Sequence, residues 1–210
     1  MKTPEPGASR TALHADEMEI RWAVENWVVW RDSGDWERFA ELWHPQGRMV
    51  ATWFQASAPD FIARSKRAFT EGMKGAHMLG GSSVELSGDR AIAQTKMQIT
   101  QRGMVHDVEV DVMCLGRFYD FFERVDGRWL IFLRQPIYEL DRMSPVALDA
   151  KLTLDPEVLA SYPEGYRHLA YLQNLMGFPV SRDLPGTRGP AMDALRAKGQ
   201  SWLAGETLEN

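Results

Sequence analysis

From Ala76 onward the chain alternates apolar and polar residues with a period of two, and this pattern limits the possible folds more than any other feature of the sequence. A period of two is typical of β-strands that bury one face. Turns containing glycine interrupt the alternation at residues 87–89, 102–103 and 126–127. Because such short turns join antiparallel neighbours, the segment predicts a meander of four antiparallel strands.

The third strand of this meander shows the two faces most clearly. On one side it carries apolar residues and a glycine, namely Val108, Val110, Val112, Cys114, Gly116 and Phe118. On the other side it carries mostly charged or polar residues, namely Asp107, Glu109, Asp111, Met113, Arg117 and Tyr119. The sheet therefore presents one clearly apolar face to a second layer.

Helical signals come before the long strands. Between residues 12 and 32, apolar side chains recur every three or four positions, at Ile20, Ala23, Val24, Trp27 and Val28. Gly34 is suited to end this helix, and Asp35 is suited to cap a short second one. A first strand is expected at residues 48–54 and a third helix at residues 57–73. This order predicts an α+β fold with helices on one side of a curved antiparallel sheet.

Beyond Met143 the composition changes, because six prolines interrupt short helical patches: Pro145, Pro156, Pro163, Pro179, Pro185 and Pro190. Such patches are too short to be stable alone. Their aromatic residues need a surface to pack on, which is the sheet, a neighbouring subunit or the mouth of a pocket. We expect residues 143–162 to help close a pocket or to form a subunit contact near it.

Length and composition set the class of protein. The 210 residues suffice for about one domain, with 44% apolar and 25% charged residues, which excludes wholesale disorder. We expect a flexible N-terminus at 1–11, an α+β barrel domain at 12–142 and a C-terminal extension at 143–210. The net charge is -5 and no block of basic residues is present, which argues against nucleic acid and anionic membranes as partners.

Local sequence signals for export, disulfides and metals are missing. No apolar run approaches the ~20 residues of a membrane helix, and residues 1–10 lack the apolar core of a signal peptide. We therefore expect a cytoplasmic protein. Cys114 is the only cysteine in the sequence and is interpreted as a small buried strand residue. No cysteine or histidine pair has metal-ligand spacing, so we expect no metal site.

Two ionisable residues fall where the pattern predicts burial: Asp32, at the end of the first helix, and His77, at the start of the first long strand. A carboxylate in an apolar setting needs a partner, and an imidazole can supply one. Together they would form a base oriented by an acid, suited to abstracting a proton next to a carbonyl or benzylic position. The alternative is that Asp32 caps a turn and His77 bonds to backbone.

Three segments resemble one known family. Residues 27–38, Trp-Val-Val-Trp-Arg-Asp-Ser-Gly-Asp-Trp-Glu-Arg, look like the opening of scytalone dehydratase and its relatives. The likeness lies in an aspartate three residues before an Asp-Trp pair and a tryptophan five residues before that aspartate. Residues 76–81, Ala-His-Met-Leu-Gly-Gly, resemble the family's histidine followed by a glycine pair, and residues 126–129, Asp-Gly-Arg-Trp, its last hairpin. The resemblance covers residues 15–142.

This resemblance implies a polyketide-cyclase-like (SnoaL-like) member of the nuclear-transport-factor-2-like superfamily. Its fold is a cone of curved antiparallel sheet closed by helices around an internal pocket. In this sequence Asp32 and His77 match the family's aspartate and histidine, a dyad also found in related dehydrochlorinases and bile-acid dehydratases. Apart from the resemblance, His44 is expected in a helix-ending turn before Pro45, and His106 in the first half of a strand on its solvent face.

The sequence also departs from the family pattern. The tyrosine beside the aspartate is Arg31 here, the tyrosine of the first strand falls at Ala51, and the second catalytic histidine falls near Gln101. The serine and asparagine of the family pocket fall on Gly116 and Phe118. The resemblance therefore carries over the proton-abstracting pair but not the water-binding tyrosines, and it does not extend to scytalone as the substrate.

The resemblance and these residues lead to one leading hypothesis, a cofactor-independent lyase acting on a hydrophobic aromatic or polycyclic hydroxylated metabolite. His77 takes a proton, Asp32 orients it, and Arg31 and Gln101 bind the oxygen on which negative charge develops. The departing group is water, a halide or, by retro-aldol cleavage, formaldehyde. The expected pocket lining is Trp27, Trp30, Trp53 and Phe118.

Two alternatives stay open beside the lyase. An isomerase or cyclase of the same fold would use the same base without losing a group, and a non-catalytic binding or assembly module would need no base at all. A dyad that faces a closed pocket favours an enzyme, whereas a separation of Asp32 and His77 far beyond hydrogen-bond reach favours the module. The resemblance further implies a homo-oligomer, with a trimer preferred over a dimer, and no cofactor.

Overall fold

The structure, a computed structural model, describes residues 10–208. A flexible N-terminus was expected at 1–11, and residues 1–9 of it lie outside the described residues. Three helices come before the long strands: α1 (Arg10–Ser33), α2 (Trp36–Ala40) and α3 (Ala58–Thr70). Six strands follow or separate them: β1 (Trp43–Val50), β2 (Gln55–Ser57), β3 (Lys74–Ser87), β4 (Arg90–Val105), β5 (Val108–Val125) and β6 (Arg128–Pro145). The extension contains α4 (Pro156–Ala160), a single 3-10 turn (Glu164–Tyr166), α5 (Arg167–Leu175) and α6 (Pro190–Leu203).

The described strands form one curved, open sheet in the order β2-β1-β6-β5-β4-β3. Strands β3 to β6 make the predicted antiparallel meander, while β1 pairs with β6 in parallel. The sheet has free edges at β2 and β3. The α+β architecture with helices packed on a curved sheet is confirmed.

One predicted turn is in the wrong place. The β4–β5 turn lies at His106 and Asp107, whose φ angles are 46° and 66°, and not at residues 102–103. Both residues have the left-handed backbone that short hairpin turns require, and aspartate tolerates it better than most residues. Gly103 lies inside β4, where the side chain of Leu172 packs onto it. A Cβ at this position would lie only 2.9 Å from that side chain, so a glycine is required here for packing and not for a turn.

The region between α2 and α3 also differs from the prediction. Strand β1 spans Trp43–Val50 and not residues 48–54, because the short helix α2 already ends at Ala40. His44 therefore lies in a strand, with its Nε2 3.4 Å from Glu123, and not in a helix-ending turn.

The main core lies between the helices and the concave face of the sheet. The predicted apolar stripe of α1 is buried, with Ile20, Ala23, Val24 and Trp27 no more than 1% exposed. The ring of Trp27 meets that of Phe118 on the apolar face of β5 at 5.4 Å, and Val110, Val112 and Cys114 on the same face are fully buried in this core. The apolar residues of both sequence patterns therefore belong to one core.

The C-terminal extension packs on both faces of the sheet. Helix α5 joins the main core, whereas α6 packs on the other face through Met192, Leu195 and Trp202. That second cluster takes the alternate residues of β5, including Tyr119 and Phe121. No helix within residues 10–208 is long and apolar enough to cross a membrane.

Candidate active site

Asp32 and His77 are in direct contact. Asp32 comes one residue before the end of α1, and His77 lies in β3, an edge strand whose outward N–H groups have no strand partner. The backbone N–H of His77 donates to Asp32 Oδ2 at 2.7 Å, and its ring Nδ1 lies 2.9 Å from Asp32 Oδ1. One carboxylate therefore fixes both the strand edge and the imidazole ring.

This contact determines the state of the imidazole. When neutral His77 donates its Nδ1–H to Asp32, the lone pair lies on Nε2, which is the atom available as a base. The His77 side chain is 8% exposed and lines a cavity between the helices and the sheet. Burial lowers the pKa of His77 below its ordinary value of 6.5, and the positive charges of Arg31 and Arg134 lower it further, against the opposing effect of Asp32. The ring is therefore neutral at physiological pH.

Asp32 is held in its ionised form. Burial alone would raise its pKa, but hydrogen bonding and charge from His77 and Arg31 outweigh burial and leave the pKa below the ordinary 3.8. Arg31 Nη1 lies 2.9 Å from Asp32 Oδ1, and the Arg31 side chain is 18% exposed. Arg31 also lines the cavity, so its remaining guanidinium N–H groups lie beside the pair.

A second, fully buried ion pair lies behind the cavity wall. Arg134 on β6 makes a bidentate pair with Asp120 on β5, with distances of 2.6 and 2.7 Å, and neither side chain is exposed. The guanidinium carbon lies 4.2 Å from the ring centroid of Trp27 and 3.9 Å from that of Phe118. Trp27 in turn meets the His77 ring edge-on at 5.6 Å. A fixed positive charge thus lies one aromatic ring behind the imidazole.

The cavity next to His77 is rich in aromatic residues. Its wall is built from α1, α2, α3, the strands and the extension, and its aromatic members are Trp27, Trp36, Trp53, Phe61, Phe69, Phe118, Tyr138 and Phe178. Flat apolar surfaces of this kind suit a flat apolar ligand.

The polar part of the wall comes from residues that are far apart in sequence. Thr52 Oγ1 donates to Gln173 Oε1 at 2.6 Å, and Gln173 Nε2 donates to Gln101 Oε1 at 3.0 Å. Gln101 Nε2 in turn contacts Met176 Sδ at 3.4 Å. We call Thr52, Gln101 and Gln173 the amide wall; its three members are 2%, 6% and 4% exposed.

Most of the residues predicted for the site line this cavity. Arg31, Asp32, His77, Trp27, Trp53, Gln101 and Phe118 all do, as does Ala51. Trp30 does not, and that expectation is wrong. A helix advances ~100° per residue, so Trp30 lies 60° from Trp27 on the side away from Arg31. Trp30 instead packs edge-on against Trp22 and under Arg38.

Gly116 and His106 lie in settings that the sequence did not predict. Gly116 is not part of the cavity wall. It lies where β5 and β6 shift register, and a Cβ at this position would overlap the carbonyl oxygen of Ile137. His106 is exposed, as expected, but it lies in the β4–β5 turn and not in a strand, and its Nε2 lies 3.0 Å from the hydroxyl of Tyr171.

Other residues of the site were not expected from the sequence. Asp120 carried a signal, since it continues the apolar face of β5 two residues after Phe118, where a charge needs a buried partner. Gln173 and Thr52 carried no such signal. The tail residues that line the cavity are Leu169, Gln173 and Phe178, further along the chain than the expected 143–162.

Nothing in the cavity resembles a metal site. Over residues 10–208 no group of three or more histidine, cysteine, aspartate or glutamate side chains is arranged to hold a metal ion. Asp32 and His77 offer two ligands, and both are already bonded to each other. Burial raises the pKa of the Cys114 thiol, which leaves it protonated and a poor ligand.

An open curved sheet wrapped by helices around an aromatic cavity, with an Asp–His pair in its wall, places this protein among the small α+β proteins that enclose a ligand pocket. The model of the SnoaL-like domain family matches residues 13–135. The chain belongs to the SnoaL-like family.

Whole-length relatives and solved structures agree with this assignment. The chain is 35% identical to Pea pathogenicity protein 2 of Fusarium vanettenii, over 94% of this chain and 90% of that protein. A hexachlorocyclohexane dehydrochlorinase (LinA) type 2 superposes with a TM-score of 0.56 at 14% identity, over 70% of this chain and 99% of that one. A putative scytalone dehydratase from Novosphingobium aromaticivorans superposes with a TM-score of 0.50 at 15% identity, over 67% and 93%. These two superpositions establish a shared fold.

Proposed function

We propose that the protein is a cofactor-independent lyase that acts on a hydrophobic aromatic or polycyclic hydroxylated metabolite. The observation that carries the proposal is the contact between His77 and Asp32 in the wall of an aromatic cavity. A neutral histidine whose Nδ1–H is held by a carboxylate presents Nε2 as a general base. The same contact favours the enzyme over a non-catalytic binding module.

In the proposed reaction His77 Nε2 takes a proton from a carbon that is adjacent to a carbonyl group or is benzylic. The electron pair of the broken C–H bond forms a new double bond, and the leaving group departs with the electrons of its own bond. Asp32 keeps the ring oriented and stabilises the imidazolium. Arg31 and Gln101 bind the oxygen on which negative charge develops.

The identity of the leaving group separates three versions of this chemistry. Elimination releases a halide, or releases water when the leaving hydroxide takes the proton back from the imidazolium. In retro-aldol cleavage His77 instead deprotonates a hydroxyl, the C–C bond breaks and formaldehyde leaves, and the electron pair left on the substrate carbon takes the proton back from the imidazolium. An isomerase or cyclase would return the proton to another carbon and release nothing. LinA is a dehydrochlorinase by its name, which supports the elimination version on this fold.

Cavity composition supports the substrate class. Trp27, Trp53 and Phe118 offer flat apolar surface, and the amide wall and Arg31 offer a small number of hydrogen-bond donors. We propose that the enzyme works in the cytoplasm, and that Asp32 and His77 act without a metal or an organic cofactor.

The test is a substrate screen with a matched inactive variant. Purified protein and His77→Ala are incubated with a panel of hydroxylated aromatic and polycyclic compounds, and products are identified by mass spectrometry. The proposal predicts a product lighter by one molecule of water, hydrogen halide or formaldehyde, formed by the wild type and not by the variant. A product of unchanged mass would select the isomerase, and equal conversion by both proteins would exclude His77 as the base.

A further inference from the structure

The amide wall brings together three buried polar side chains from separate parts of the chain. Thr52 follows β1, Gln101 lies in β4 and Gln173 lies in α5 of the C-terminal extension. Thr52 and Gln173 are 121 residues apart in sequence. Since buried polar groups need partners, such a cluster is costly unless all of its groups are satisfied.

Orientation of the two amides follows from their neighbours. At the far end of the wall Gln101 contacts the sulfur of Met176, which accepts hydrogen bonds weakly and donates none. The NH2 group of Gln101 therefore points to the sulfur, and its oxygen accepts from Gln173. This leaves the oxygen of Gln173 to accept from the hydroxyl of Thr52.

Counting hydrogens then shows an incomplete network. Each amide nitrogen carries two hydrogens, and within residues 10–208 Gln173 Nε2 uses one on Gln101 while Gln101 Nε2 uses one on Met176. One N–H of each glutamine is left without a partner in a nearly buried site. An unpaired buried donor costs free energy that a ligand oxygen would recover.

Ser65 adds independent evidence that this cavity receives a polar ligand. It lines the same cavity from α3, is 3% exposed, and its hydroxyl has no hydrogen-bond partner within the described chain. Buried hydroxyls in proteins normally have one.

The strand register places the amide wall beside His77. His77 pairs with Ile99 across β3 and β4, and Gln101 lies two residues further along the same face of β4. Diagonal neighbours on one face of adjacent strands are ~7–8 Å apart, which is about the span of a substituted aromatic ring. One substrate can therefore contact both His77 and the amide wall.

We propose that Gln173, supplied by the C-terminal extension, is a specificity-determining substrate-binding residue, and that together with Gln101 it binds the substrate's carbonyl oxygen. The substrate class narrows to aromatic or polycyclic ketones and related oxygenated rings. This inference rests on the proposed function for its reaction, but its binding chemistry is testable alone.

A purely structural role predicts something different. If the amide wall only tied α5 to the sheet, replacing Gln173 with an apolar residue would change stability and would affect all ligands alike. A binding role predicts loss of selectivity for oxygen. The discriminating quantity is therefore the ratio of two affinities and not either affinity alone.

The experiment uses two probes with the same bicyclic skeleton, 1-tetralone, which carries a carbonyl, and tetralin, which carries none. Affinities for the full chain are measured by calorimetry. Wild type should bind 1-tetralone about five- to tenfold more tightly than tetralin, the effect of about one hydrogen bond. In Gln173→Leu the two affinities should become nearly equal. Asn174→Leu, an exposed neighbour on the same helix, should keep the wild-type ratio.

A second variant keeps the test decisive if Gln173→Leu does not fold. Thr52→Val preserves side-chain shape and Gln173 itself but removes the hydroxyl that orients the amide. It should reduce the preference for 1-tetralone; an unchanged preference would overturn the proposal. A wild-type preference retained in Gln173→Leu, equal affinities in the wild type, or no binding of either probe would overturn it too. Failure of the proposed lyase activity would give a different result: turnover would not depend on His77, while the ratio of the affinities for 1-tetralone and tetralin would stay as predicted.

Discussion

Asp32 holds His77 by two hydrogen bonds, one from the backbone N–H at 2.7 Å and one from ring Nδ1 at 2.9 Å. The first bond fixes the strand edge relative to α1, and the second fixes the ring relative to the strand. The imidazole therefore has little rotational freedom, which reduces the entropy lost when a substrate must be aligned with its Nε2.

A second pair in the molecule has the same geometry in another setting. Asp141 accepts from the backbone N–H of His168 at 2.6 Å and lies 2.7 Å from its ring Nδ1. Its carboxylate also accepts from the N–H of Leu169 at 2.8 Å, so it satisfies the first N–H groups of α5. His168 does not line the cavity. The pair is thus placed to anchor the extension, and what distinguishes Asp32 and His77 is their position at the cavity.

The first prediction concerns pH. Burial and nearby positive charge keep the pKa of folded His77 below 6.5, and the base is active only when neutral. The acid limb of kcat/KM should therefore have its midpoint below 6.5, measured as a pH–rate profile. A midpoint at or above 6.5 would contradict the environment described for His77.

The same shift affects stability with a definite sign. Between the folded pKa and the ordinary 6.5, the unfolded state binds more protons at His77, so the free energy of unfolding rises with pH in this window. Denaturant titrations of the wild type and His77→Gln should differ in slope there, with the variant less dependent on pH. Identical slopes would mean that the pKa of His77 is not shifted.

A further prediction concerns the buried pair of Asp120 and Arg134. Asp120→Leu leaves the Arg134 charge buried and unpaired, and should lower the free energy of unfolding by about 3–5 kcal/mol. Replacing both residues, in the double variant Asp120→Leu with Arg134→Met, should restore much of the lost free energy of unfolding. The control is Glu139→Leu in the partly exposed pair with Arg117, where a loss of at most ~1 kcal/mol is expected. If urea unfolding shows the same loss of free energy of unfolding for Asp120→Leu and Glu139→Leu, the assigned cost of burying an unpaired Arg134 is refuted.

Local sequence patterns were sufficient for the parts of this fold that depend on local periodicity. The stripe of α1 and the alternation of β3 to β6 each arise from neighbouring residues, so the sheet meander and the helix that carries Asp32 could be predicted. The position of His77 in the first long strand follows from the same alternation.

Non-local contacts account for what the sequence did not predict. Gly103 was interpreted as a turn residue because glycines are common in turns. Its actual role is to leave room for Leu172, which lies on a helix about seventy residues later. Gln173 joins the cavity only because α5 docks on the sheet. Trp30 was included by residue type alone, although its helical angle turns it away from the cavity. Residue type and spacing indicate candidates, but packing decides which of them meet.

Another prediction tests docking of the extension with a single methyl group. Gly165 packs so closely on Tyr138 that a Cβ would overlap its carbonyl oxygen, whereas a Cβ at Gly186 would lie 3.5 Å from the same oxygen. Gly165→Ala should cost about 1–3 kcal/mol and raise KM by displacing α5, which lines the cavity. Gly186→Ala should leave both nearly unchanged. Matching Tm and KM values for the two variants would show that docking at Gly165 does not support the site.

Assembly gives the next prediction, a homo-oligomer with a trimer preferred over a dimer. The outer face of the sheet has a cross-strand row of Met78, Gln98, Leu115 and Leu140, of which Met78 is 67% and Leu140 54% exposed. Exposed apolar surface of this kind favours a subunit contact. Light scattering should give three chain masses for the wild type and a smaller mass for Leu140→Lys. A monomeric wild type at micromolar concentration would contradict the prediction.

The central claim is that His77 is the base and Asp32 its orienting partner, and turnover of an identified substrate by three variants tests it. His77→Ala should lower kcat by ~10²–10⁴, and Asp32→Asn should do similar damage because an amide permits the wrong tautomer, both in protein that remains folded. His44→Ala, which removes another imidazole beside a carboxylate but outside the cavity, should keep the wild-type kcat. Full turnover by both dyad variants would contradict the account.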